Sequence, residues 1–337
     1  MARIDLNFEA YKHNLNYLVN LAGNIEKLMV VFKDNAYGHG LLQMAPLAAA
    51  VGVKSVVVRN NSEASLLDGL FENILILADY PNSISSNSYA ANSLEALQFF
   101  PKSTKIHLKL DTGMNRNGIK EDELKKALIC IQKNGLKLEA CFSHFYSADE
   151  LSADFYVQKE RYKNFKELVK QELKKLNLPT PYFHSCSSSA LLRQKENMFD
   201  DDFARVGVAT YGYCDGFIKH ELKPVLSLWA NKISSREIEQ GEKVGYGGVF
   251  ESEKRLKIST YDLGYADGLF RSDGKKELYL KDGKPFLGKT SMDSFMTIGD
   301  DEEVCLFEDA MPFAKHFNTI VYEILVKLSP SIPRRVI

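Results

Sequence analysis

The feature that most narrows the fold is a change of rhythm about two thirds of the way along the chain. Before it, short apolar runs rich in Val, Ile, Leu and Phe alternate with amphipathic stretches. The apolar runs cover 27–33, 54–58, 73–78, 105–110, 137–143, 182–186 and 205–211. Several are continuously apolar, as in parallel strands covered on both faces. Helical patterns lie between them, over 9–21, 41–51, 62–70, 121–132 and 154–176. Asn7 is placed to cap the first, and Lys174 and Lys175 suit the last turn of the longest. Strand–helix units repeated over roughly 200 residues predict a (β/α)8 barrel of the TIM type. Seven strands are legible, so closure requires one more. Near Asp215 the rhythm gives way to short strand-like runs between turn signals, among them Gly247-Gly248, Ser272-Asp273-Gly274 and Asp282-Gly283. That reads as a mostly-β domain. The expected division is a barrel over 1–217 and a β domain over 218–337.

Bulk properties remove several classes of function. The 337 residues carry a formal net charge of −1, which lacks the basic excess of an electrostatic nucleic-acid binder. No apolar run approaches the ~20 residues of a membrane span, and the N-terminal residues lack the apolar core of a signal peptide. The 5 cysteines form no CxxC pair, so free thiols in a reducing compartment are expected, and no metal is implied. The expectation is a cytoplasmic protein.

The most informative stretch is Val30-Val31-Phe32-Lys33-Asp34-Asn35-Ala36-Tyr37-Gly38-His39-Gly40. An apolar strand runs into a lysine, and a glycine-containing turn opens a helix. In a barrel of this type, residues at the C-terminal strand ends face the active site. A lysine there can serve as an amine nucleophile. From position alone, a solvated lysine ending a strand is the better explanation. A second strand end carries Lys109 and Arg116 in Leu108-Lys109-Leu110-Asp111-Thr112-Gly113-Met114-Asn115-Arg116. An arginine so placed can pair with a substrate carboxylate. Further along, His184-Ser185-Cys186-Ser187-Ser188-Ser189-Ala190 puts small hydroxylic residues at a helix start, which suits a phosphate.

The stretch from Lys33 to Gly40 resembles the cofactor-lysine motif of the alanine racemase family, with Phe32 and Asp34 departing from the usual neighbours. The resemblance runs from about Arg3 to Arg334, with its motifs in family order. It implies an enzyme that interconverts L- and D-alanine with pyridoxal 5′-phosphate, supplying D-alanine for peptidoglycan. Lys33 would hold the cofactor as a Schiff base, and Tyr37 would contact its phosphate. Arg116 would meet the substrate carboxylate and the cofactor phenolic oxygen, held by a carbamylated Lys109. His144, in Ser143-His144-Phe145-Tyr146-Ser147-Ala148-Asp149, would orient the catalytic tyrosine, with Asp149 along the entrance. Ser188 matches the phosphate-binding serine, although Ser187 and Ser189 depart from the pattern. His184 would support Arg205 at the cofactor ring nitrogen, and the N–H groups of Gly207 and Val208 would complete the phosphate cradle.

In the C-terminal third, Gly245-Tyr246-Gly247 and Gly264-Tyr265-Ala266-Asp267-Gly268 are similar to family signatures, as is Gly288-Lys289-Thr290-Ser291-Met292-Asp293. Racemisation needs proton transfer on both faces of one planar carbon, which two opposed groups achieve most simply. The resemblance assigns Lys33 to one face and Tyr246 to the other, with Tyr246 supplied by the partner subunit of a homodimer. A tyrosine is a weak acid, so this base needs help, for which His144, Arg205 and His184 are the implied chain. Tyr265 would narrow the entrance, the Met292 N–H would bind the substrate carboxylate, and Asp293 would lie beside it. One departure is chemical. Where the family carries a phosphate-binding tyrosine, Ser329-Pro330-Ser331 has Pro330, which has neither hydroxyl nor N–H. Two further readings therefore stand: a racemase of broader amino-acid specificity, and a non-enzymatic protein of cofactor homeostasis. The β domain argues against the second, since such proteins consist of the barrel alone. A barrel-fold amino-acid decarboxylase is disfavoured by chain length and by the absence of its cysteine motif.

Overall fold

The computed structural model describes every residue except 82–84, 195–198 and 215, so Asp215 itself lies outside the described residues. The chain divides into two compact units. One gathers Lys12–Asp34 and Ala45–Leu222; the other gathers Met1–Tyr11, Asn35–Met44 and Lys223–Ile337.

The first unit is the barrel. Its strands are β1 (Leu28–Val31), β2 (Ser55–Val58), β3 (Asn73–Ile76), β4 (Ser88–Ala91), β5 (Lys105–Lys109), β6 (Lys137–Phe142), β7 (Tyr182–His184) and β8 (Ala204–Val206). All 8 lie in one sheet and run parallel, in the order β7-β6-β5-β4-β3-β2-β1-β8. Every residue of β1, β2 and β4 is buried, as befits parallel strands packed on both faces. The seam between β7 and β8 is joined by backbone. The Asp202 N–H donates to Phe183 O at 2.9 Å, and the Arg205 N–H donates to Cys186 O at 2.9 Å. The Asp202 carboxylate adds a bond from the Phe183 N–H at 2.7 Å.

β4 is the strand that the sequence did not announce: Ser-Tyr-Ala-Ala offers neither a β-branched residue nor a long apolar run. The run 205–211 is not a single strand. β8 stops at Val206, Gly207 turns the backbone, and Val208–Tyr211 forms a 3-10 turn. The longest helix, Asp154–Lys175, matches its pattern almost to the residue.

In the second unit, strand Leu226–Ile238 is the spine. Its first half pairs with the N-terminal strand Arg3–Leu6 and with Glu303–Phe307, and its second half pairs with Leu256–Tyr261. Register shifts at Leu228/Trp229 and Lys232/Ser234 bend it between these partners. Arg3–Leu6 also pairs in parallel with Arg334–Val336. A core of Ile238, Val244, Ile258 and Leu287 fills the far end. Among the described residues, no helix is long and apolar enough to cross a membrane.

The turn after β1 has an uncommon backbone. Asp34, Asn35, Ala36 and Tyr37 have φ of 55°, 56°, 53° and 53°, one left-handed turn built without glycine. L-residues resist this winding by about 1–2 kcal/mol each, so neighbours must impose it. They do so with hydrogen bonds. Asn35 Oδ1 accepts the Leu41 N–H at 2.8 Å, and Asn35 O accepts the Gly40 N–H at 2.9 Å. Arg334 donates to Gly38 O from Nε at 3.2 Å and from Nη2 at 2.8 Å. Gly38 has φ +80° and lies against the backbone of Leu325, whose carbonyl oxygen would be 1.9 Å from an added Cβ. Gly23 has φ +98° with nothing within 4 Å of that position. Gly23→Ala should therefore cost only the left-handed strain, about 1–2 kcal/mol. Gly38→Ala should cost about 4 kcal/mol or more, because backbone has to move. Urea denaturation of the two variants decides this; equal losses would contradict the close approach to Leu325.

Candidate active site

Lys33 follows β1 directly, at the C-terminal end of the barrel. Its neighbour Asp34, one of the two departures from the family motif, accepts a hydrogen bond from Arg59 beyond β2 at 3.0 Å. The substitution thus comes with a partner.

Arg205, on β8, is held more tightly than any other predicted side chain. Nη2 donates to Ser143 O at 2.6 Å and to Ser185 O at 3.3 Å. Nη1 donates to His184 O at 3.1 Å and to His184 Nδ1 at 2.5 Å. Nε makes no hydrogen bond among the described residues. Because a guanidinium only donates, His184 Nδ1 must accept, and the proton of that ring sits on Nε2. His184 Nε2 then donates to His107 Nδ1 at 2.9 Å, and His107 Nε2 donates to Glu139 Oε2 at 3.2 Å. Ser88, on β4, also donates to Glu139. The result is a one-directional chain from Arg205 through two neutral imidazoles to a carboxylate. Burial pushes both imidazoles below their usual proton affinity. Hydrogen bonds from His107 and Ser88, with Lys105 nearby, pull Glu139 down to about 2. Ring contacts brace the chain: Phe142 stacks on His184 at 4.9 Å and 12°.

His107 and Glu139 were missed by sequence reasoning. A register shift at Ile106/His107 pairs Ile106 with Leu138 and His107 with Ala140, so Glu139 is the bulged residue. The bulge re-aims its side chain toward His107. The available signal was a polar side chain inside each of two apolar strand runs.

Around Arg205 stand other cations. Lys109, at the end of β5, is buried, with its Nζ 5.7 Å from the centre of the Phe142 ring. No carboxylate lies within ion-pair distance of it among the described residues. Burial, then Arg116, Arg205 and Lys33, lower its pKa to about 8. His144 falls to about 3 through burial and the four cations Arg205, Arg116, Lys109 and Lys33. Arg116 is exposed on the loop after β5. Ser188 opens the short helix Ser188–Leu192, and its Oγ accepts the Gly207 N–H at 3.0 Å and the Ala209 N–H at 3.4 Å. Ser188, Gly207 and Val208 therefore converge at one place. The barrel unit thus brings together Lys33, Lys109, Arg116, His144, His184, Ser188, Arg205, Gly207 and Val208.

The remaining predicted residues belong to the other unit. Tyr37 packs against Tyr322, with ring centroids 6.0 Å apart. Tyr246, on a glycine-rich turn, is 65% exposed, Met292 55% and Tyr265 39%. Their loops are joined: Tyr265 N–H donates to Ser291 O at 3.1 Å, and Ala266 N–H to Met292 O at 2.9 Å. The Met292 N–H has no partner among the described residues, and Asp293 is exposed beside it. Pro330 contributes only its carbonyl, which accepts from Arg334 at 3.2 Å.

A parallel barrel with a strand-end lysine, an anchored arginine and a hydroxyl–amide cluster, joined to a β unit, defines a class of protein by fold and donor set. Residues 6–215 match the N-terminal domain of alanine racemase and residues 225–336 its C-terminal domain. The chain belongs to the alanine racemase family. It is 46% identical over 336 residues to the alanine racemase of Campylobacter jejuni (strain RM1221), covering 99% of each chain. It is likewise 46% identical over 337 residues to the alanine racemase of a Nitratiruptor species, again covering 99% of each. Among solved structures, alanine racemase from Clostridium difficile 630 has a TM-score of 0.88 at 26% identity, covering 100% of this chain and 95% of that one. Alanine racemase from Bacillus anthracis with bound L-Ala-P has a TM-score of 0.86 at 26% identity, with the same coverages.

The buried imidazoles set an acid limit. His39 and His144 both drop from the usual 6.5 to about 3, mainly by burial. The unfolded chain therefore binds more protons than the folded one between these values. Stability is full above pH 6.5 and declines as pH falls toward 3, by about 1.4 kcal/mol per unit for each histidine. Glu139 contributes only below 4.5, so the window from pH 7 to 5 isolates the histidines. His39→Gln and His144→Gln should each flatten the stability loss over that window by about 2 kcal/mol, measured by urea denaturation. An unchanged slope would mean that these rings are not neutral and buried as described.

Proposed function

We propose that this chain racemises alanine with pyridoxal 5′-phosphate, using Lys33 and Tyr246 as opposed proton-transfer groups. The observation that carries the reading is Arg205, fixed by carbonyls and by His184, with Nε unspent. The donor set fits the cofactor. Lys33 would offer an amine to its aldehyde, Ser188 and the Val208 N–H, beside the hydrogen bond from Gly207 to Ser188, would suit its phosphate, and Tyr37 would add a phenol. When bound, the cofactor supplies the electron sink that acidifies the α-hydrogen of the amino acid. Arg205 would meet the cofactor's ring nitrogen as a donor that keeps its own proton, because burial lowers its pKa only to about 10. That weakens the sink and favours return of the proton to the α-carbon over other outcomes. Lys33 moves the proton on one face and Tyr246 on the other, while His144 orients Tyr246. Arg116 would hold the substrate carboxylate, and the β unit would lend the Met292 N–H, with Asp293 beside it and Tyr265 narrowing the approach, to another subunit's site. Pro330 leaves the phosphate one hydroxyl short, so a panel of L-amino acids belongs in the assay.

Lys109 has the features of a carbamylation site: a buried amine, lowered to about 8 by burial and by Arg116, Arg205 and Lys33 against the opposing effect of Asp111, with no carboxylate at ion-pair distance among the described residues. A carbamate would turn it into the missing anion beside Arg116. Protein equilibrated with 13C-bicarbonate should show a carbamate carbon signal that disappears in Lys109→Ala; a persistent signal would assign it elsewhere.

The exposure of Tyr246 supports its delivery to another subunit's site. Lys33→Ala and Tyr246→Phe should each be nearly inactive as homodimers. Refolded together in equal amounts, about half the dimers are mixed, and each mixed dimer has one intact site, so about a quarter of wild-type activity should return. Mixed dimers, confirmed by tagged purification, that stay inactive would place both groups in one chain. Loss of alanine racemisation in neither single variant would reject the reading itself.

A further inference from the structure

Five strands of the barrel contribute to one file of polar side chains. It starts at Ser88 and Lys105, the first residues of β4 and β5. It reaches Arg205 on β8 by way of Glu139 on β6, His107 on β5 and His184 on β7. His107 and His184 come from alternate strands, which share interior layers in such a barrel. Their ring centres lie 5.0 Å apart. Both rings are buried, and Glu139 is 27% exposed. An apolar filling of this volume would spare two rings and a carboxylate their desolvation, so stability alone does not account for the file. His107 and Glu139 have no part in the reading given above.

A neutral imidazole can carry its proton on either nitrogen, and the hydrogen bond made by the other nitrogen fixes the choice. Glu139 is an anion at neutral pH, so it only accepts. Its Oε2 therefore requires the His107 proton on Nε2, at 3.2 Å. That leaves the His107 Nδ1 lone pair for the His184 Nε2–H at 2.9 Å, and the His184 Nδ1 lone pair for Arg205. Reversal of the file would turn an N–H of His184 toward Nη1, donor against donor. Asp201, not Glu139, is the carboxylate whose charge acts directly on Arg205. The influence of Glu139 passes through the rings, each hydrogen bond polarising the next. Lys105 Nζ, 3.5 Å from Oε1, and the Ser88 hydroxyl keep the carboxylate in place. We propose that Glu139 and His107 are positioning residues: they fix the lone pair that His184 turns to Arg205, and so the pose in which the guanidinium would meet the ring nitrogen of the cofactor. The role rests on the reading of Arg205 given above, while the ring protons can be observed independently of it.

Nitrogen NMR of the cofactor-loaded enzyme, labelled with 15N-histidine, tests the file without any variant. His184 is recognised by its contact with the Phe142 ring, and His107 by its contact with His184. Each should carry its single proton on Nε2. A proton on Nδ1 of either ring would overturn the proposal. Glu139→Met, which removes the acceptor, should let the His107 proton move to Nδ1 and that of His184 follow. It should lower kcat for alanine about tenfold, the lower end of what outer partners of a ligating histidine contribute. KM should stay within about twofold, because Arg205 has no assigned contact with the substrate. Glu139→Gln, which keeps an acceptor for the His107 proton, should restore most of the rate. Glu139→Met/His107→Gln should be about as slow as Glu139→Met, since links of one chain fail together. Unchanged ring protons beside a lower rate, a rate that glutamine does not restore, or losses that multiply in the double variant would leave the file a purely structural role. Wild-type protein that failed to racemise alanine would sink the proposed function, while the ring protons would still decide the order of the file.

Discussion

The Arg205 guanidinium takes its acceptors from two neighbouring segments, Ser143 after β6 and His184 with Ser185 at the end of β7, while its own strand is β8. These strands flank the seam at which the barrel closes. The same residue's backbone N–H bridges that seam to Cys186. A buried cation is tolerable only if its donors are met and its charge is answered. Here carbonyls meet most of the donors, the buried Asp201 is the carboxylate that acts on the charge, and Glu139 ends the chain of two imidazoles. The consequence spreads through the site. The Arg205 charge helps keep His144, His184 and His107 neutral, and it contributes to the lowered affinity of Lys109 for its proton. Closure of the barrel and electrostatics of the site are one arrangement.

Much of this was legible because the chemistry sits in contiguous strings. The stretch from Lys33 to Gly40 shows its lysine, and the structure explains its other letters as backbone requirements: Asn35 starts the following helix, and Gly38 yields to Leu325. His184 and Arg205 stand in neighbouring motifs, and they touch. Glu139 escaped notice because a bulge, which no periodicity reveals, decides where its side chain points. β4 escaped because its burial comes from its position between two strong strands, not from its own residues. Strand Arg3–Leu6 pairs with Leu226–Trp229 and with Arg334–Val336, both distant along the chain, a relation that no local pattern encodes.

The second unit shows how glycine is used where close approach is needed. Gly264 lies against the Met292 carbonyl, where an added Cβ would be 2.1 Å from oxygen, and this contact ties the Tyr265 loop to the Met292 loop. Side chains that stand exposed, Tyr246 and Met292 among them, are thus presented from backbone held by its neighbours rather than from free loops.

The left-handed turn after Lys33 bears on the order in which the protein is made. Its carbonyl at Gly38 is gripped by Arg334, 296 residues further along. On a ribosome the barrel strands emerge long before that arginine, so they can collapse around an unfinished lysine turn. Asn35–Met44 meanwhile belongs to the unit whose main segment begins at Lys223. The hydrogen bonds that hold the Gly38 carbonyl therefore form only after the C-terminal segment has been translated.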